Sequence, residues 1–222
     1  MNFISYIIDN RHKVAILSLQ HINLFMISII IAIVIGMIIS ILITRPGKER
    51  MGTLIMSITG AAQAIPSIAI IALAFIFVGI GAFPSIIALV VYSLVPIVFN
   101  ATSGFLSVPN DIIEAAKGTG FTDKQILFRI KMPISMPVIV AGIRSAATIN
   151  IGTATVASFI GGGGLGDLIF MGLKLYRSDI IIAGSIIVAL MAVIIDFILR
   201  MIEDLIIPKK IGVIKGNINV IG

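Results

Sequence analysis

Charged residues divide the chain into long apolar blocks, and the length of each block limits what it can form. About 20 apolar residues are needed to cross roughly 30 Å of hydrocarbon as a helix. Residues 24–43 supply twenty positions without a charge, and the polar stretch Thr44-Arg45-Pro46-Gly47-Lys48-Glu49-Arg50 ends them. Residues 51–110 then carry no charged side chain at all. As one helix that block would be about 90 Å long, three times the bilayer, so it must double back. Glycines and a proline in Gly79-Ile80-Gly81-Ala82-Phe83-Pro84 supply the break, which predicts spans near 54–78 and 84–105. Residues 111–131 are polar, 136–160 are apolar except for Arg144, and Gly161-Gly162-Gly163-Gly164-Leu165-Gly166-Asp167 reads as a loop. A last apolar block at about 180–202 precedes a basic tail. The pattern predicts an all-α, polytopic membrane helix bundle of about five transmembrane helices. It forms one transmembrane domain over 1–222, with an N-terminal outer segment at 1–22 and a cytoplasmic tail at 203–222.

Composition supports a lipid-facing surface. Of 222 residues 59% are hydrophobic and only 12% are charged, with a mean hydropathy of +1.18. A soluble domain of this size would carry roughly a quarter of its residues as charges. The absence of cysteine excludes disulfides and thiol chemistry. A net charge of +6 invites a nucleic-acid reading, but the Lys and Arg residues are scattered between apolar blocks rather than gathered on one face. Residues 1–22 hold Asp9, Arg11, His12, Lys13 and His21 and lack the layout of a cleaved signal, so the first span is expected to remain as an anchor. Both histidines precede that expected span, which argues against a histidine-based centre inside the bundle.

The basic residues set orientation instead. With the N-terminus outside, the cytoplasmic segments collect 11 Lys and Arg residues and the outer segments only 4. This split predicts N-out, C-in, and it places residues 106–135 in the cytoplasm.

Within that loop, local chemistry predicts two short helices around a break. Pro109 and Asp111 suit a first turn, and Gly118 and Gly120 suit a helix end. Thr122 and Gln125 form a capping-box pattern that starts a second helix, and Pro133 is expected to stop it. The element resembles the coupling loop of ABC-importer permeases. That family pattern is Glu-Ala-Ala, three residues, Gly, nine residues, Ile, one residue, Leu-Pro. Here it reads Glu114-Ala115-Ala116, Gly120, Ile130 and Met132-Pro133, so six of seven positions match and Met replaces Leu. The resemblance implies a loop seated in a groove of a separate ATP-binding subunit. Ala115 and Ala116 would permit close approach, Glu114 would offer a carboxylate, and Gly120 would permit the turn. No Gly-x-x-x-x-Gly-Lys-Ser/Thr pattern occurs, so ATP and Mg are expected on that partner and no cofactor on this chain.

Residues 149–169, with Gln63-Ala64-Ile65-Pro66-Ser67 and Tyr92-Ser93-Leu94-Val95-Pro96-Ile97, resemble the osmoprotectant branch, whose substrates are glycine betaine, carnitine and choline. The likeness implies two ATP-binding subunits, a second permease subunit (identical or paralogous) and an extracytoplasmic substrate-binding protein in a bacterial inner membrane. A permease for another small zwitterion, such as methionine or a betaine-like thiol, stays open. An intramembrane enzyme would need nucleophile–base or carboxylate clusters inside spans, and a secondary transporter would not need a Glu-Ala-Ala loop. Quaternary-ammonium selectivity uses aromatic cages. With no Trp and three Tyr, the chain leaves such a cage to the binding protein.

Polar residues inside spans face a cavity or another helix. Asn150 and Thr153 share a helix face and, with Gln63 and Tyr92, are the candidates for lining the translocation pathway; Asn100 is a weaker one. The alternative for these positions is helix packing through small and hydroxyl residues. The glycine run is expected to lie outside, as a turn in which backbone packs closely. The family likeness adds a role in gating or in receiving the binding protein. Arg144 and Asp196 lie at similar depth from the cytoplasmic ends of their spans and are expected to form a structural ion pair.

Overall fold

A computed structural model describes residues 2–206; the basic tail from residue 207, including Lys209, Lys210 and Lys215, lies outside the described residues. The described chain is helical: α1 (Phe3–Asp9), α2 (Arg11–Ile43), α3 (Glu49–Ala62), α4 (Ser67–Val78), α5 (Ala82–Leu106), α6 (Asn110–Gly118), α7 (Asp123–Ile126), α8 (Met132–Ala157), α9 (Gly166–Lys174) and α10 (Ser178–Ile206). Four helical stretches are long and apolar enough to cross a membrane, namely α2, α5, the run from α7 through α8, and α10. A fifth crossing is available only if α3 and α4 count as one span, and these are bent by 97°.

That bend differs from the continuous span expected near 54–78, and Pro66 supplies the reason. Before it, the N–H groups of Gln63, Ala64 and Ile65 donate to carbonyls three residues back, so the helix has already tightened and unwound. Pro66 is the N-cap of α4 in an extended conformation, lacks an N–H, and disfavours helix at the residue before it. A Cβ at Gly52 would touch Ile43 and Leu106, and one at Gly60 would touch Phe99. Thus α3 climbs along the inner half of α5, and the break falls near mid-bundle.

α2 also starts earlier than its apolar block. Its 33 residues would span about 50 Å, more than the hydrocarbon thickness. The surplus at its N-terminal end packs Val14 and Leu17 with Tyr6 of α1, Leu168 of α9, and Ile180 and Ala183 of α10. His21 consequently lies inside a membrane-crossing helix, contrary to the expectation that both histidines precede the span. It is fully buried, with Nε2 3.1 Å from the Ile151 carbonyl.

The centre of the fold is α5, flanked by α2 on one side and α8 on the other. Small residues set their spacing, as suits association without a hydrophobic driving force. Gly104 lies against Ser135, whose Oγ donates to the Gly104 carbonyl at 2.7 Å. Gly142 lies so close to α5 that a Cβ there would overlap Asn100. α10 closes the bundle against α8 through charge as well as packing. Arg144 Nε donates to Asp196 Oδ1 at 2.7 Å and Nη1 to Glu203 Oε2 at 3.2 Å.

Two outcomes follow from this packing. Gly142→Ala should destabilise the purified permease by about 1–3 kcal/mol, the usual cost of overpacking. Gly152→Ala, where nothing lies within 4 Å of the new methyl, should leave thermal unfolding unchanged or raise it slightly. For the ion pair, Arg144→Ala and Asp196→Ala should each lower the unfolding midpoint. The double variant should fall less than the sum of the two, and strict additivity would show that the groups act independently.

Candidate functional site

Through α6 and the start of α7 the polar loop folds by the local rules its sequence suggests. α6 begins after Pro109, with Asp111 in its first turn and Lys117 in its last, both complementing the helix dipole. Its end is a Schellman motif: the Phe121 N–H donates to the Ala116 carbonyl at 3.0 Å and the Gly120 N–H to Lys117 at 2.9 Å. Gly120 occupies the left-handed position of that motif, with φ of +85°, which side-chain-bearing residues rarely adopt. Thr122 then caps α7. Its backbone N–H donates to Gln125 Oε1 at 2.8 Å, and the Gln125 N–H donates back to Thr122 Oγ1 at 3.3 Å.

Pro133 does not end this second helix, a correction to the expectation above. α7 passes through a π turn over Leu127–Lys131 directly into α8, where Pro133 sits in the first turn. In this continuous helix Pro133 forgoes one backbone hydrogen bond, and the wider π turn just before it accommodates the ring. α7 is therefore continuous with a membrane-crossing helix. Ile130 lies half-buried within the π turn, and Pro133 is exposed.

α6 turns Ala116 inward and leaves Ile112, Glu114 and Ala115 exposed. Ile112 and Ala115 lie nearly one turn apart, giving the helix a small apolar contact face. Behind α6 and α7, against the α2–α3 turn and the end of α5, a cleft of about 970 Å³ opens; Glu114 and Lys117 line it together with Arg45 and Lys131.

At the opposite end of the bundle the glycine run lies against three other segments. The Gly81 N–H donates to the Ile160 carbonyl at 2.8 Å, and the Gly164 N–H donates to Gln20 Oε1 at 3.2 Å. A Cβ at Gly162 would collide with Ser85 of α5, and one at Gly166 with Ser158 and Thr155. This is backbone-on-helix packing of the kind the glycines were expected to permit.

The structure separates the four pathway candidates. Asn150 is fully buried: its Nδ2 donates to Ser93 Oγ of α5 at 2.7 Å and to Ser28 Oγ of α2 at 3.0 Å. Thr153 is only 5% exposed, and its hydroxyl donates to the Ile149 carbonyl at 2.9 Å. Within this chain both side chains are packed against neighbouring helices, the arrangement the packing alternative describes. Gln63 is exposed at the break between α3 and α4, and Tyr92 is half-buried on α5. Sequence reasoning missed Ser28 and Ser93 as partners of Asn150, and Glu203 as a second carboxylate on Arg144. The signal for the serines was present, since both interrupt apolar runs at positions level with Asn150.

Comparisons with known proteins bear on the family and the fold. The family model described as "Binding-protein-dependent transport system inner membrane component" matches residues 32–210. The carnitine transport permease protein OpuCB of Listeria monocytogenes is 38% identical over 208 residues, 94% of this chain and 94% of that one. The choline transport system permease protein OpuBB of Bacillus subtilis is 36% identical over 207 residues, covering 93% and 94%. The osmoprotectant import permease protein OsmY of Salmonella typhimurium is 39% identical over 180 residues, covering 81% and 76%. Among solved structures, the inward-facing MetNI methionine ABC transporter aligns over 87% of this chain and 95% of its own, with a TM-score of 0.75 at 21% identity, a likeness of fold. With its family model matched over most of its length and membrane-crossing helices in place, the chain belongs to the inner-membrane permease components of binding-protein-dependent ABC importers.

Proposed function

We propose that the chain is a single permease domain that forms half of the translocation pathway of an importer for a quaternary-ammonium compatible solute: glycine betaine, carnitine or choline. A second permease subunit completes the pathway, and two ATP-binding subunits dock on the coupling loops. ATP and Mg act on those subunits, with hydrolysis there and not on this chain. An extracytoplasmic binding protein delivers the solute and carries the aromatic cage. The observation that carries the coupling role is the α6–Gly120–α7 element. It is a short helix with an exposed apolar face, fixed by a Schellman motif and a capping box and continuous with α8. A push on α6 is thus transmitted to the bundle core through α8. The substrate reading is supported by relatives named for carnitine, choline and osmoprotectant transport.

In this reading Glu114, Ala115, Ala116, Gly120, Ile130 and Pro133 make up the coupling element. ATP binding draws the two loops together and biases the permease toward its outward-open state, and hydrolysis releases it. Gln63 belongs to the pathway for a physical reason. Irregular backbone at membrane depth is stable only where it faces protein or water, never lipid. The exposed residues 63–66 at mid-bundle therefore face the second subunit or the pathway. Tyr92 is the weaker pathway candidate, and Arg144 and Asp196 serve as a structural clamp between α8 and α10.

Two measurements test these roles. Glu114→Arg or Gly120→Pro should reduce co-purification of the ATP-binding subunit at least tenfold while the permease still inserts; undiminished capture would remove α6 from the interface. In cells carrying the whole importer, radiolabelled glycine betaine, carnitine or choline should accumulate and methionine should not. Gln63→Leu should lower that uptake severalfold with ATPase capture intact. Uptake of methionine alone would overturn the substrate reading without touching the coupling role.

A further inference from the structure

Consecutive glycines at 161–164 leave the turn between α8 and α9 without side chains to hold itself, and two consecutive residues of α2 take over that task. The Gly164 N–H donates to Gln20 Oε1 at 3.2 Å. The next residue, His21, is fully buried and lies directly against Gly164. A Cβ at Gly164 would come within 3.2 Å of His21 Cα and 3.0 Å of its Nδ1. On its other side the ring reaches α8. The Ile151 carbonyl can only accept, so Nε2 carries the proton in the 3.1 Å bond between them. In the neutral ring Nδ1 is then a bare acceptor, without a partner among the described residues and next to Gly164. An apolar residue would fill this position without burying such a nitrogen. What the imidazole adds is a bond to α8 at the level where the loop rests on α2. About two turns along α2, Ser28 meets Asn150, the neighbour of Ile151, so the helix pair is anchored both in the core and beside the loop. The loop's attachment to Gly81 is backbone to backbone, whereas its attachment to α2 depends on side chains.

We infer that Gln20 and His21 are positioning residues that latch the glycine loop onto α2, and that releasing this latch unseats the end of the bundle opposite the coupling element. Gln20 holds the loop backbone and His21 holds α8 beside it. Gly164, with φ of +90°, lets the loop backbone lie on α2, where a side chain would wedge the two apart. In the importer role proposed above, on which the transport consequence rests, the latch opposes the state that the binding protein and ATP favour. Loosening it makes that state easier to reach without the binding protein.

The chain has no cysteine, so one introduced thiol reports on one place. Ser85→Cys puts a thiol on α5 against Gly162, and Ser40→Cys puts a control thiol near the coupling-element end of α2; both serines are fully buried. Maleimide labelling of the purified full chain is the readout. His21→Leu should speed labelling of the Ser85→Cys thiol about tenfold, the factor that loss of one buried hydrogen bond gives an opening equilibrium. Gln20→Leu and Gly164→Ala should act in the same direction. His21→Gln, whose amide N–H can replace that of Nε2, should restore slow labelling. The Ser40→Cys thiol should stay slow throughout. Unchanged labelling of the Ser85→Cys thiol in His21→Leu would overturn the latch, and equal acceleration at both positions would overturn it by showing general loosening. In the assembled importer, His21→Leu should raise ATP hydrolysis without the binding protein by a similar factor, with the ATP-binding subunit still captured, and His21→Gln should reverse this. Hydrolysis that stays fully dependent on the binding protein would overturn the transport consequence. If no ATP-binding subunit is captured even by the wild type, the importer reading fails instead, and thiol labelling decides the latch by itself.

Discussion

Asn150 sits where α2, α5 and α8 meet, and its carboxamide divides its two N–H groups between Ser28 on one neighbour and Ser93 on the other. In lipid, apolar side chains do not drive helices together, because the surroundings are equally apolar. What remains is close packing and interhelical hydrogen bonding. This amide contributes the second, and the glycines at 104 and 142 contribute the first by letting α8 approach α5 closely. The other elements are arranged around that three-helix centre. α3 and α4 lie along α5, and α10 is held to α8 by the Arg144 clamp.

In the proposed coupling role, α6 and α7 act on this three-helix centre. α6 and α7 are held by local backbone bonds rather than by a large buried surface, so they keep their shape while remaining exposed. The π turn joins them to α8 without a flexible hinge. In the proposed coupling role, displacement of α7 passes to α8 through the π turn, and Asn150 links α8 to α2 and α5. The opposite end is closed differently. There the glycines let backbone lie directly on helices, with the Gly81 and Gly164 N–H groups bonded to Ile160 and Gln20.

The α6–α7 loop was legible from sequence as far as the capping box, because its determinants there are local, whereas the π turn that carries α7 past Pro133 was not. A left-handed glycine, a Thr/Gln capping box and a dipole-matched helix need only near neighbours in the chain. The membrane-crossing blocks were legible for a similar reason, since length and apolarity decide crossing regardless of what lies alongside. Pro66 shows the limit. It was plainly visible, but an interior proline can kink a helix or be tolerated, and only the packing of α3 along α5 determines how far α4 turns away.

Sequence by itself determined the all-helical membrane-crossing character, the polarity of basic residues and the chemistry of the coupling turn. Each of these depends on composition or on residues within about five positions of one another. Tertiary structure alone decided which polar side chains face inward. Asn150, Thr153 and Gln63 all interrupt apolar runs, yet the first two are buried among neighbouring helices and the third is exposed at a break. The difference lies in which helix stands opposite each residue, and partners 57 and 122 positions away set that for Asn150. The acidic partners of Arg144 at 196 and 203 are fixed in the same way, by the packing of α10 on α8.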